Sequence, residues 1–239
     1  MKLFIISDIH GSALAFNKAV EAFNREQASL MVICGDYLNH GPRNPLPEGH
    51  DTKALAAALN SMKAKICGVR GNCDSEVDQM MLDFPVTEAS CRIMLLGSAS
   101  DCAESGATCA ATAESGTAAP DGAALAGADA QSIKTVAQCA AESGKVPPSG
   151  CIFVHHGHLY TKQKAAELTE PGTIIVSGHT HVPVLEYEDG RYFVNPGSIS
   201  LPKDGSSAGY ATIETGAGGA IKEICLKKLD GTTFASMSF

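Results

Sequence analysis

Lys2-Leu3-Phe4-Ile5-Ile6-Ser7-Asp8-Ile9-His10-Gly11 opens the chain, and its reading decides the fold. The apolar run reads as a buried strand from Lys2 to Ser7, followed by a turn at Asp8-Ile9-His10-Gly11. Downstream, Phe16, Ala19, Val20 and Phe23 recur at helical spacing, so a helix follows the turn. A second apolar run, Leu30 to Cys34, ends at Gly35-Asp36. Leu55, Ala58, Leu59 and Met62 mark another helix, with Asp51 placed to cap its start. A third short strand, Lys65 to Val69, runs into Arg70-Gly71-Asn72-Cys73-Asp74. Strand, helix, strand, helix, strand is the pattern of an α/β fold.

The later half holds more strands than helices. Candidates are Ile152 to Val154, Thr173 to Ser177, Val182 to Glu188, Tyr192 to Asn195, Tyr210 to Glu214 and Ile221 to Leu226. Asp189-Gly190 lies between two of them and suits a hairpin turn. The expected architecture is a layered β-sandwich flanked by helices, with an antiparallel part. From Ser98 to about Gly150 the composition shifts to Ala, Ser, Gly and Thr. Such a stretch buries too little surface to offset its ordering entropy. It is expected to be a low-complexity insertion in one domain spanning 1–239, with a weak helix where Ile133, Val136, Ala137 and Ala140 have helical spacing.

The totals narrow the function. Hydrophobic residues make up 44% of 239 residues and charged residues 18%, enough for a substantial core. The formal net charge of −8 argues against long nucleic acid as a partner, because counterion displacement needs basic patches. It leaves a phosphate substrate open, since bound metal reverses the local charge. Nine cysteines are scattered without any C-x-x-C pair, which suits free thiols in a reducing compartment. The opening apolar run is too short for a signal-peptide core, and no run approaches the roughly 20 apolar residues of a membrane span. The expected location is the cytoplasm, with no membrane partner.

Five polar clusters sit at predicted strand ends: Asp8-Ile9-His10, Gly35-Asp36, Gly71-Asn72-Cys73-Asp74, His155-His156-Gly157-His158 and Gly178-His179-Thr180-His181. Ligand sites gather outside the carboxyl ends of strands in open α/β sheets, where loops far apart in sequence converge. Each cluster alone has an ordinary explanation. An Asp at a strand end caps the next helix, a Gly-Asp marks a turn, and neighbouring histidines can simply be solvated. Six of the eight histidines fall in these clusters, however, and mixed Asp, His and Asn ligands suit borderline divalent ions.

The order D-x-H, G-D, G-N-C-D, H and G-H-x-H resembles the calcineurin-like metallophosphoesterase superfamily, and within it the YfcE-type bacterial phosphodiesterases. The likeness rests on Ser7–Gly11, Gly35–Asn44, Arg70–Met80 and Asn195-Pro196-Gly197-Ser198, and covers roughly residues 1–97 and 151–215. It implies two divalent metal ions, Mn first, with Ni, Fe or Zn as alternatives. It assigns Asp8, His10 and His181 to one metal, Asn72, His156 and His179 to the other, and Asp36 to both. It implies hydrolysis of a small phosphodiester by a hydroxide bridging the metals, and self-association as a dimer or tetramer. Two ions bring +4 and two carboxylates return −2, so the site is cationic within an acidic protein.

Where many members of the superfamily carry a leaving-group His, this chain has Cys73, a poor proton donor near neutral pH. His40, His155 and His158 are the substitutes. The residues do not choose among these three as proton donor; Asn72 and His158 are taken as catalytic, with Arg43 and His40 contacting substrate, Arg43 through its guanidinium fork. Two other functions compete. The retromer subunit Vps29 resembles the family in fold yet acts mainly as a scaffold, so a catalytically weak, Vps29-like protein-binding module is one alternative. A nucleotide-specific phosphohydrolase with the same metals is the other.

Overall fold

Successive side chains of the opening strand face two different cores. The computed structural model describes residues 1–95 and 145–239. In β1 (Lys2–Ile6), Phe4 and Ile6 point to one side and Leu3 and Ile5 to the other, and all four are buried. β2 (Leu30–Ile33) alternates in register with it: Met31 and Ile33 join Phe4, and Val32 joins Leu3. Burial on both faces is why these strands read as unbroken apolar runs.

The first face is covered by α1 (Ala13–Arg25) and α2 (Thr52–Ser61). Ser12 caps α1 through Ala15 N–H, and Asp51 caps α2 through Ala54 N–H at 2.9 Å, as its position predicts. Phe16, Ala19 and Phe23 of α1 meet Leu55 and Leu59 of α2 over the sheet. β1, β2 and β3 (Ile66–Gly68) run parallel. β9 (Gly209–Thr215), β10 (Ile221–Lys228) and β11 (Thr233–Ser238) extend the sheet antiparallel, in the order β11-β10-β9-β1-β2-β3.

The second sheet has the order β4-β5-β6-β8-β7. Its members are β4 (Ser90–Met94), β5 (Cys151–His155), β6 (Ile174–Val176), β7 (Pro183–Glu188) and β8 (Arg191–Pro196). β5, β6 and β8 are parallel, while β4 and β7 are antiparallel edges. Asp189 and Gly190, at φ 50° and 77°, make the turn between β7 and β8. Ile152, Val154, Ile174, Val176, Tyr192 and Val194 face the first sheet, while Phe153, Ile175 and Phe193 face outward under α4 (Lys162–Glu167). Each fully buried aliphatic side chain contributes about 1.5–3 kcal/mol, so the core between the sheets is what holds them face to face. At one margin the edge strands meet, with Cys67 Sγ of β3 3.8 Å from Cys91 Sγ of β4.

The layered sandwich flanked by helices is therefore as expected. Four elements had no counterpart in the sequence reading: β4, β11, α4 and α3 (Glu76–Met81). The segment between β4 and β5 begins and ends at one place, where Leu95 N–H donates to Gly150 C=O at 2.9 Å. Most of the compositional shift at 98–150, and the weak helix near Ile133, lie outside the described residues. No helix among the described residues is long and apolar enough to cross a membrane.

Candidate metal centre

The parallel strands of both sheets end at the same seam. β1 delivers Asp8 and His10, β2 delivers Asp36, and β3 leads to Asn72. From the other sheet, β5 delivers His156, and the turn after β6 delivers His179 and His181. Five of these residues hold left-handed backbone: Asp8 (φ 56°), His10 (49°), Asp36 (58°), His179 (68°) and His181 (63°). Only three other non-glycine described residues do so, and such conformations are costly unless the surroundings impose them. At Asp8, His10 and Asp36 backbone bonds hold them. Asp8 N–H donates to Gly35 C=O at 3.2 Å, and Ile9 and His10 N–H both donate to Asp36 C=O at 3.0 Å.

Two close approaches explain the glycines around the site. A Cβ on Gly71 would run into the Asp36 carboxylate, and one on Gly178 would run into Ser7 Oγ. Asp74, quoted in the sequence motif without a role, is the buried clamp of the first sheet's loops. Its Oδ2 accepts from Asp36 N–H at 2.8 Å and Gly71 N–H at 2.6 Å, and its Oδ1 accepts from Tyr37 N–H at 2.7 Å. Burial, and then the Asp36 charge, push the Asp74 carboxyl up to about 6 against those donors.

Asn195-Pro196-Gly197-Ser198 has a similar task for the second sheet. Asn195 Nδ2 donates to Gly178 C=O at 2.8 Å and to Thr180 Oγ1 at 3.1 Å, which sets the turn carrying His179 and His181. Ser198 Oγ donates to Asp8 C=O at 2.7 Å and ties that turn to the first sheet.

The imidazoles are oriented by main-chain carbonyls. His10 Nδ1–H donates to Asn39 C=O at 3.0 Å, His181 Nδ1–H to Leu201 C=O at 2.6 Å, and His156 Nδ1–H to Cys34 C=O at 2.7 Å. Since a carbonyl only accepts, each Nδ1 carries a proton, and in the neutral ring the lone pair is left on Nε2. Those lone pairs face one another or face oxygen. His10 Nε2 and His181 Nε2 are 3.1 Å apart. Asp8 Oδ1 is 3.3 Å from His181 Nε2 and has no hydrogen-bond partner, although Asp8 is fully buried. His156 Nε2 lies 3.4 Å from Asp36 Oδ2 and 3.0 Å from Asn72 Oδ1.

Acceptors converging in this way repel unless a cation stands among them. In the free protein a proton serves at His156: burial lowers its basicity, but Asp36 and Asp8 outweigh that and raise it to about 9. A divalent ion would satisfy more of these atoms at once, and the donor set of carboxylate, imidazole and amide oxygen suits one. Asp8, His10 and His181 form one group of buried ligand atoms within 4.8 Å; Asp8, Asp36 and His156 form another. Asp36 belongs to both sides, since His10 Nε2 is 3.7 Å from its Oδ2. Although burial favours the neutral acid, His156, the Cys73 N–H at 2.8 Å and His10 hold Asp36 down at about 2.

The remaining predicted residues take distinct places. His179 is half-buried, its ring 5.1 Å from that of His156, and its N–H donates to Asp8 Oδ2 at 3.0 Å. His158 is exposed, 5.3 Å ring to ring from His156. His155 is turned away, packed against Phe153 and Tyr160. His40 stands edge-on to His50 at 5.6 Å and does not line the central cavity. Arg43 does line it.

That cavity, of about 760 Å³, is bounded by Asp36, Asn72, His179 and His181 on the side of the candidate ligands. Asn39, Gly41, Pro42, Arg43, Asn44, Cys73 and Lys203 complete its wall. Burial, and then Asp36, push the Cys73 thiol up to about 12, which keeps it from acting as a nucleophile. Lys203 was missed by the sequence reading, because nothing in its local context sets it apart from other surface lysines.

Residues 1–218 match the family model of the calcineurin-like phosphoesterase superfamily domain. Phosphodiesterase YfcE of Escherichia coli strain K12 is 35% identical over 214 residues, which cover 90% of this chain and 88% of that protein. The solved structure of Yfce, described as a phosphoesterase from E. coli, aligns at TM-score 0.71 with 31% identity, over 100% of this chain and 99% of that one. Vacuolar Protein Sorting 29 from Cryptosporidium parvum shares the fold at TM-score 0.53 and 13% identity, over 100% and 98% of the two chains.

Proposed function

Because the chain belongs to the calcineurin-like phosphoesterase superfamily, we propose that it is a metal-dependent phosphodiesterase acting on small phosphodiesters. The observation that carries this reading is the pair of facing Nε2 atoms of His10 and His181, 3.1 Å apart beside the partnerless Asp8 Oδ1. Asp8, His10 and His181 would hold one divalent cation, Asn72, His156 and His179 a second, and Asp36 would serve both, with Mn²⁺ the first candidate. Bound there, such ions supply Lewis acidity and acidify water at neutral pH.

The chain's own side chains do the rest. Arg43 binds the phosphoryl oxygens from the cavity wall. His158, exposed beside His156 but outside the cavity wall, is the proposed source of the leaving alcohol's proton; burial and then His156 lower its basicity there. No side chain in the cavity is an activated nucleophile, which fits direct hydrolysis rather than a covalent intermediate. The described cysteines are all free, which supports a reducing, cytoplasmic setting. The stretch at 98–150 is read as an insertion into a single domain, supported by the bond between Leu95 and Gly150.

The test is to strip the protein of metal, titrate in Mn²⁺, Ni²⁺, Zn²⁺ or Mg²⁺ separately, and follow an aryl phosphodiester against the matching monoester. Bound metal is counted in the same samples. Two ions per chain with diester turnover is the expected result. A folded protein that turns over neither ester with any metal would overturn the reading and leave the scaffold alternative.

A further inference from the structure

The cavity carries more recognition chemistry than one phosphate needs. Its wall beyond the ligands holds two cations, Arg43 and Lys203, and neither side chain bonds to a described residue. Asp36 is the one carboxylate in that wall. The amide of Asn39 spends its oxygen on Gly41 N–H and keeps its Nδ2 free; that of Asn44 donates to His40 C=O and keeps its Oδ1 free. Apart from the two histidines proposed as metal ligands, no aromatic ring lines the cavity among the described residues, so a nucleobase finds no aromatic stacking face there.

Both cations are positioned by the site itself. Arg43 lies in the loop whose Asn39 carbonyl orients His10, and Lys203 lies in the loop whose Leu201 carbonyl orients His181. Lys203 N–H also donates to His181 C=O at 3.3 Å. The Gly41 turn of the Arg43 loop abuts Cys73 Sγ. The two charges therefore stand on loops bonded to the two imidazoles that face each other. In a protein of net charge −8 this is a local cationic mouth.

Resting on the phosphodiesterase reading, we propose that the substrate is a polar phosphodiester whose second alcohol arm carries its own anionic group. With Arg43 on the phosphoryl oxygens, Lys203 selects that arm, and the Asn39 and Asn44 amides receive its hydroxyl groups. A nucleoside arm is disfavoured for want of an aromatic stacking partner.

Three p-nitrophenyl phosphodiesters that differ only in the second alcohol test this: 2-carboxyethyl, n-propyl and 2-(trimethylammonio)ethyl. With Mn²⁺-loaded protein, kcat/KM should fall in that order, the carboxyethyl ester leading the propyl ester by about three- to fivefold, chiefly in KM. Added salt should shrink that ratio, and Lys203→Gln should bring it to about one. A calorimetric comparison of 2-carboxyethylphosphonate with propylphosphonate on the wild-type protein should show the same preference without turnover. Hydrolysis of the propyl ester with a flat or inverted charge ratio would overturn this inference and leave the phosphodiesterase reading intact. Hydrolysis of none of the three would overturn both.

Discussion

The two sheets bring different chemistry to the seam. The first supplies both carboxylates, one imidazole and the amide of Asn72, and fixes them through donors to Asp74 and backbone carbonyls. The second supplies three imidazoles, two of them fixed by carbonyl acceptors and the third placed by its backbone N–H on Asp8. One half concentrates negative charge and the other adds neutral lone pairs, so neither half is a cation site by itself. What unites them is an apolar core that has no chemical part in the reaction.

The comparison is broken most severely at the shared carboxylate. Asp36→Asn should lower kcat/KM by at least about a thousandfold, roughly 4 kcal/mol, and reduce bound metal below two per chain. His179→Ala, at the half-buried margin of the second sheet, should do less on both counts; steady-state kinetics with metal analysis decides. Next is the clamp. Asp74→Ala leaves three buried N–H groups without their acceptor, and should cost about 2–4 kcal/mol in denaturant unfolding and about 10–100-fold in activity through misplaced Asp36 and Asn72.

A paired substitution separates the seam from the rest of the second sheet. Ile152 faces the first sheet and Ile175 faces α4, both buried. Each Ile→Ala change should cost about 2–5 kcal/mol in unfolding experiments. Only Ile152→Ala should also weaken metal affinity, because it loosens the seating of one sheet on the other. Equal loss of metal affinity in the two variants would show that the seam has no special part.

The smallest effect lies far from the seam. Glu26 receives Lys227 Nζ at 2.7 Å, Tyr210 Oη at 2.9 Å and Lys2 Nζ at 3.1 Å. Burial pushes its carboxyl up, but these partners outweigh that and hold it below the ordinary value of 4.5. A carboxylate depressed in the folded state stabilises above its unfolded pKa and loses that contribution as pH falls through its folded pKa. Thermal melts from pH 6 to pH 3 should therefore decline less steeply for Glu26→Gln than for the wild type, with metal binding at neutral pH unchanged.

Much of this was legible in the chain. Strands buried on both faces, such as Lys2–Ile6 and Leu30–Ile33, announce themselves as apolar runs, and the helices over them as spaced apolar faces. β4 and β11 did not, because these two edge strands hold only half-buried and exposed positions and carry few large apolar residues: SCRIM and TFASMS. α3 and α4 are six residues each, too short for periodicity to register. The candidate ligands were picked out because each follows a strand within a recognisable cluster. Asp74 as clamp and Lys203 as cavity wall were not, since their roles depend on backbone groups and loops brought together only by the folded sheets.

The left-handed backbone at Asp8, His10, Asp36, His179 and His181 has a consequence for descent. Asp, Asn, His and Gly are the residues that tolerate this conformation, so each position answers to two selective pressures, one chemical and one conformational. A lineage that gave up hydrolysis would be released from the first and still held by the second. Its drift at these positions would run toward asparagine and glycine, not valine or isoleucine. In descendants of this fold, retained aspartates and histidines would then mark the shape of the turn as much as the survival of the reaction.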